Sequence, residues 1–142
     1  MSKSALIDAG PLVAWLNVDD QYHHWARAQM ALVSPPLLTC EAAVTEAAFL
    51  LESACLNAAT LLDLVSRRVL RIAFGLDSEA QVIAALMRRY DNVPMSLADA
   101  CLVRMSEMDE DSTMFTTDSD FLIYRRFGRR VIPTSMPTDF GS

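Results

Sequence analysis

Short apolar runs alternate along this chain with longer segments of helical periodicity, and that alternation dictates the class of fold. Ser4–Asp8 (SALID), Leu37-Leu38, Val69–Ala73 (VLRIA), Thr113–Thr116 (TMFT) and Arg130–Ile132 read as strands. Leu12–Val18 and His23–Val33 read as helices separated by the polar Asp19-Asp20, and Pro35-Pro36 ends the second. Thr39 is placed to cap a helix that runs to about Ala54, and Ala58–Ser66 continues as a helix. Gly75 marks a turn before a helix over Ser78–Tyr90. Pro94 precedes another that starts at Ser96 and runs to about Met108, and Asp118–Arg126 reads as a short helix. Strands alternating with helices predict an α/β fold, a parallel sheet covered on both faces. A length of 142 residues fits one domain, with 52% hydrophobic residues to build its core.

In an open parallel sheet the site lies beyond the carboxyl ends of the strands. Asp8 closes the first predicted strand and Asp118 follows the fourth. Two further acids have apolar company. Glu46 has Ala42, Ala43, Phe49 and Leu50 at helical spacing, an expensive place for an unpaired carboxylate. Asp99 has Met95, Ser96, Leu102 and Val103 at the same spacing. Three of the four acids also have a local structural role open to them. Ser96 and Asp99 can form a capping box, Asp118 can cap the helix that follows it, and Asp8 can simply end a strand.

As a set, the four acids point to cation chemistry. Carboxylates about 4 Å apart repel by roughly 4 kcal/mol at an effective dielectric near 20. Converging acids therefore take up protons or bind a cation, and an oxygen-only ligand set suits Mg²⁺ or Mn²⁺. Such a cation meets phosphate and activates water, so phosphodiester hydrolysis is the reaction this equipment fits.

Other chemistries lack their parts. The only lysine is Lys3, at the start of the chain, which argues against a catalytic lysine. A net charge of −6 argues against coating nucleic acid by bulk charge. There is no GxGxxG, P-loop or GxSxG motif. His23 and His24 are adjacent, point to different sides of one helix and read as solvated. The scattered Cys40, Cys55 and Cys101 lack zinc spacing and read as buried free thiols. No apolar run reaches membrane-spanning length and the N-terminus does not read as a signal peptide, so a cytoplasmic protein is expected.

Four segments in order, LIDAGPLVAWL around Asp8, TEAAFLL around Glu46, SLADACLV around Asp99 and TTDSDF around Asp118, resemble the PIN-domain family, especially its VapC-type toxins. The resemblance covers nearly the whole chain, and the TxDxDF segment with LADA some twenty residues before it is its most specific part. It implies a three-layer α/β/α fold with a five-stranded parallel sheet, spanning residues 1–142 as one PIN-like nuclease domain. It implies an Mg²⁺- or Mn²⁺-dependent endoribonuclease in which Asp8, Glu46, Asp99 and Asp118 match the acidic quartet. Asp8, Asp99 and Asp118 then hold metal, Asp120 matches an accessory acid, and Thr116 matches a hydroxyl that holds the site together. It further implies a homodimer silenced by a cognate antitoxin. The alternatives are a non-catalytic binding module on the same scaffold and a structure-specific DNA nuclease.

Arg125, Arg126, Arg129 and Arg130 follow the fourth motif and are candidates to grip RNA phosphates; a solvated helix C-terminus is the competing reading. Arg67, Arg68, Arg71, Arg88 and Arg89 read as surface. Trp15, Tyr22 and Trp25 read as core or dimer packing before base stacking.

Overall fold

A computed structural model of the chain describes residues 4–138. Its elements in order are β1 (Ala5–Ile7), α1 (Ala9–Leu16), α2 (His23–Leu32), β2 (Leu37–Thr39), α3 (Glu41–Ser53), α4 (Ala59–Ser66) and β3 (Leu70–Ile72). There follow α5 (Leu76–Arg89), α6 (Leu97–Met108), β4 (Thr113–Phe115), a 3₁₀ turn (Ser119–Leu122), β5 (Arg125–Arg126), β6 (Arg130–Val131) and β7 (Thr134–Ser135). Five strands form a parallel sheet in the order β3-β2-β1-β4-β7. Among the described residues no helix is long and apolar enough to cross a membrane.

Strand periodicity divides the core into two layers. Leu6 stands opposite Leu38 on β2 and Met114 on β4. These three face one side, where Ile83 and Leu86 of α5 and Ala98, Leu102 and Met105 of α6 cover them. Ala5, Ile7, Leu37, Leu70 and Phe115 point to the other side and pack under Leu12 and Val13 of α1, Met30 of α2 and Leu61 of α4. Side chains two apart share a face and those one apart do not, so each strand feeds both layers. Helix α3 bridges them: Ala43 belongs to the first core, Ala47 and Leu51 to the second. Buried on both faces, the strands are nearly continuous in apolar residues, as parallel strands must be.

The connectivity fixes where a site can form. The chain moves outward from β1 through β2 to β3, then returns to lay β4 against the opposite edge of β1. The direction of winding reverses at β1, and a crevice opens beyond the carboxyl ends of the central strands. The residues that follow β1 and β4 line it. Gly10, in the first turn of α1, is needed for their approach: a Cβ there would collide with the Thr117 hydroxyl, just before Asp118.

Several local expectations are corrected. Helix α1 begins at Ala9 rather than Leu12, because Asp8 itself caps it. Cys40, not Thr39, stands at the N-cap of α3. Thr39 completes β2, and its hydroxyl donates to the Ile7 carbonyl at 2.8 Å. The helix expected over Asp118–Arg126 is one 3₁₀ turn followed by β5. The guanidinium of Arg126 explains the break. It is drawn inward to donate to the carbonyls of Glu110 and Ser112 and to the Ser112 hydroxyl, which holds the backbone extended. Arg130–Ile132 does not supply the last strand of the sheet. Arg130–Val131 pairs antiparallel with β5, and the fifth strand of the main sheet is Thr134–Ser135.

Candidate metal centre

Asp8 leaves β1 at the centre of the sheet and is buried. Its backbone N–H continues the ladder to the Phe115 carbonyl at 3.0 Å. Its carboxylate accepts the Ala9 N–H at 2.7 Å through one oxygen and the Thr116 hydroxyl at 2.9 Å through the other. These bonds favour the charged form, but burial outweighs them. The carboxyl is pushed up to about 7, with Asp99 and Glu46 adding like-charge repulsion.

Asp99 sits in the first turn of α6, where its capping role is realised. It completes a capping box: its backbone N–H donates to the Ser96 hydroxyl at 3.1 Å, and its Oδ2 accepts the Ser96 N–H at 3.3 Å. The same Oδ2 accepts the Tyr124 hydroxyl at 3.0 Å. Burial raises the Asp99 carboxyl to about 6, with neighbouring Asp118 and Glu46 pushing the same way. Tyr124 is fully buried, and Tyr90 and Phe121 meet its ring edge-on at 5.1 and 5.2 Å. Burial and the adjacent Asp99 raise its pKa, so it stays a donor.

Asp118 caps the 3₁₀ turn by accepting the Asp120 N–H at 2.9 Å. Its own N–H donates to Thr116 Oγ1 at 2.9 Å. Thr116 therefore links two acids, giving its hydroxyl proton to Asp8 and accepting from the Asp118 backbone. Asp120 is half-buried beside this turn; partial burial and the Asp118 charge raise its carboxyl.

Asp8, Asp99 and Asp118 converge. One oxygen from each lies within 4.8 Å of the others, and among the described residues no ion pair reaches any of them. Two oxygens bound to one Mg²⁺ at about 2.1 Å can be at most about 4.2 Å apart. The three carboxylates thus fit a small divalent cation with little movement, and burial raises the proton affinity of two of them, so a cation competes with protons there.

Thr116→Val should separate orientation of the site from ligation. The Asp118 N–H loses its acceptor and Asp8 its donor. A drop in Mn²⁺ affinity of roughly 10- to 100-fold is expected, measured by calorimetry, with Thr116→Ser restoring it. Unchanged affinity in Thr116→Val would remove Thr116 from the site.

The remaining sequence candidates stand elsewhere. Glu46 is exposed, because the face it shares with Phe49 and Leu50 is itself open: those residues are 68% and 43% exposed. The apolar burial expected of Glu46 is corrected. Glu46 stands at the rim, within Coulombic reach of Asp8 and Asp99 but outside the converging group. Arg126 is buried on backbone carbonyls and is not available to RNA. Arg130 pairs with Glu110, and Arg125 donates to the carbonyls of Leu122, Ile123 and Tyr124. Arg129 is exposed. His23 is buried, not solvated, with Nδ1 at 2.7 Å from the Ala14 carbonyl, while His24 is exposed. Trp15, Tyr22 and Trp25 are half-buried, and Trp15 packs on the α1 side of the core. Cys40 and Cys101 are buried, whereas Cys55 is exposed. Sequence reasoning missed Tyr124: it reaches Asp99 across 25 positions, and a lone tyrosine in FLIY carries no local sign of that contact.

No family model matches the chain, and no curated protein matches it. Among solved structures, the chain is similar to VapC20 of Mycobacterium tuberculosis, a PIN-domain protein described as a sarcin–ricin loop cleaving toxin. The TM-score is 0.70 at 23% identity, covering 82% of this chain and 92% of that one. The likeness establishes a PIN-like α/β fold.

Proposed function

We propose that this chain is a divalent-metal-dependent endoribonuclease, the toxin of a toxin–antitoxin pair. The observation that carries the reading is the convergence of Asp8, Asp99 and Asp118 at the reversal point of a parallel sheet. A fold shared with an RNA-cleaving toxin supports the choice of substrate.

In this reading Asp8, Asp99 and Asp118 hold Mg²⁺ or Mn²⁺. The bound ion supplies Lewis acidity and a more acidic water for attack on the phosphodiester. Thr116 orients Asp8 and the turn bearing Asp118, and Tyr124 aims one oxygen of Asp99. Glu46 and Asp120 would border a bound ion, and exposed Glu46 would accept a proton from water at the rim. Arg129 is exposed and, of the C-terminal arginine group, is the one we assign to phosphate contact. The protein is expected to act in the cytoplasm as a homodimer, held inactive by its antitoxin.

The test compares three end-labelled strands: a hairpin copying the sarcin–ricin loop, an unstructured RNA, and DNA of the same sequence. Cleavage of RNA that needs Mg²⁺ or Mn²⁺ and stops with EDTA is expected. Equal cutting of the DNA would move the assignment to a DNA nuclease. A protein that neither cuts nor binds Mn²⁺ calorimetrically is a scaffold acting through a partner.

A further inference from the structure

Cys40 and Cys101 are far apart in sequence and adjacent in space. Cys40 stands at the N-cap of α3, just after β2, and Cys101 lies in α6, which packs against α3. The two side chains lie in one buried cluster, near enough for each thiol to act on the other. Two neighbouring buried thiols can be nothing more than small apolar side chains. This pair, however, does not lie in solid core. Both cysteines line a cavity of about 570 Å³ whose wall also includes Thr45, Phe74, Leu76 and Leu97. The cavity gives a small polar oxidant a route to side chains that are only 1% and 2% exposed. Cys55 has no such neighbour: it is exposed, at a positive φ of 62° beyond α3.

We propose that Cys40 and Cys101 are a dithiol modification site, oxidised by a hydroperoxide entering this cavity to an intramolecular disulfide. In the first step one thiol attacks the peroxide; an S–O bond forms, the O–O bond breaks, and water leaves. In the second, the other sulfur attacks the sulfenic sulfur; the S–S bond forms, the S–O bond breaks, and a second water leaves with the remaining thiol proton. The two sulfurs supply the two electrons that reduce the peroxide, and a dithiol reductant reverses the change. The bond joins the start of α3, the helix of Glu46, to α6 two residues beyond Asp99. The oxidised state therefore ties together two elements that border the acidic crevice.

The test uses the full chain carrying Cys55→Ser, which removes the exposed thiol. Folded protein is treated with hydrogen peroxide, alkylated and read by intact and peptide mass spectrometry. Loss of two hydrogens, a linked peptide pair containing Cys40 and Cys101, and full reversal by dithiothreitol are expected. Cys40→Ser or Cys101→Ser in the same background should abolish the link, leaving at most a sulfenic or over-oxidised product. If Cys40 and Cys101 are still fully alkylated when the chain is unfolded after a peroxide treatment that oxidises Cys55 in the parent chain, the proposal is overturned. A link that forms only after denaturation overturns it too. The readout is a mass, so it stands or falls separately from any nuclease assay.

Discussion

Asp8→Asn should yield a folded protein that cleaves RNA about 10³-fold more slowly and, in EDTA at pH 8, is more heat-resistant than its parent. Loss of one ligand from a three-carboxylate centre removes several kcal/mol of charge stabilisation, and each 1.4 kcal/mol is tenfold in rate. The gain in stability comes from the same residue. Asp8 is 5% exposed, and burial raises its carboxyl to about 7, so at pH 8 the fold carries an ionised group it would hold more cheaply neutral. Asparagine removes that charge at the same size. Its oxygen can still accept the Ala9 N–H, and its amide can donate to the Thr116 oxygen. A rise of a few degrees in melting temperature is expected at this chain length. Asp99→Asn should behave likewise, with a smaller gain, because it gives up part of the capping box and meets the Tyr124 hydroxyl. Full activity in a folded Asp8→Asn/Asp99→Asn protein would remove the acids from catalysis. A variant that lost activity through unfolding would show itself in the melting curve, contrary to the expected increase.

The metal-free protein should lose stability as pH rises from about 4 to about 7, and Mn²⁺ should reverse that slope. The Asp8 and Asp99 carboxyls ordinarily titrate near 3.8; in the fold they titrate near 7 and near 6. Across that window the native state holds more protons than the unfolded chain, so unfolding becomes easier as pH increases. The stability is fully present below about pH 4 and lost by the time pH passes 7. The combined effect is of order a few kcal/mol, since a tenfold change in proton affinity corresponds to about 1.4 kcal/mol. A cation competes with those protons, so its binding tightens with pH and releases protons as it occurs. Melting curves from pH 4 to 8, with EDTA and with excess Mn²⁺, should diverge as pH rises. Superimposable curves would mean that the three carboxylates do not hold a cation.

Much of the site was legible because its residues carry local signs. Asp8 and Asp118 follow apolar runs that could only be strands, and the end of a parallel strand is where a crevice opens. Asp99 was legible twice over, as a capping residue and as an acid; the capping box is formed, and the carboxylate lies among the converging acids. Glu46 was misread, because apolar neighbours at helical spacing do not tell whether a face is covered; Phe49 and Leu50 lie open. Arg126 was misread for a related reason. A run of like charges reads as solvated, yet Arg126 turns inward to donate to the Glu110 and Ser112 carbonyls of the α6–β4 connection. Tyr124 and the Cys40–Cys101 pair had no local sign at all.

Periodicity, strand termini and charge patterning are properties of neighbours in the chain, and the sequence by itself therefore determined the α/β class, the order of strands and helices as far as β4, and which acids end up at strand ends. The strand order β3-β2-β1-β4-β7, the meeting of Asp8 with Asp99 and Asp118, the inward turn of Arg126 and the gathering of two distant cysteines at one cavity were decided only by tertiary structure. These depend on which faces bury against each other, and that is settled by the packing of the whole core rather than by any segment of it.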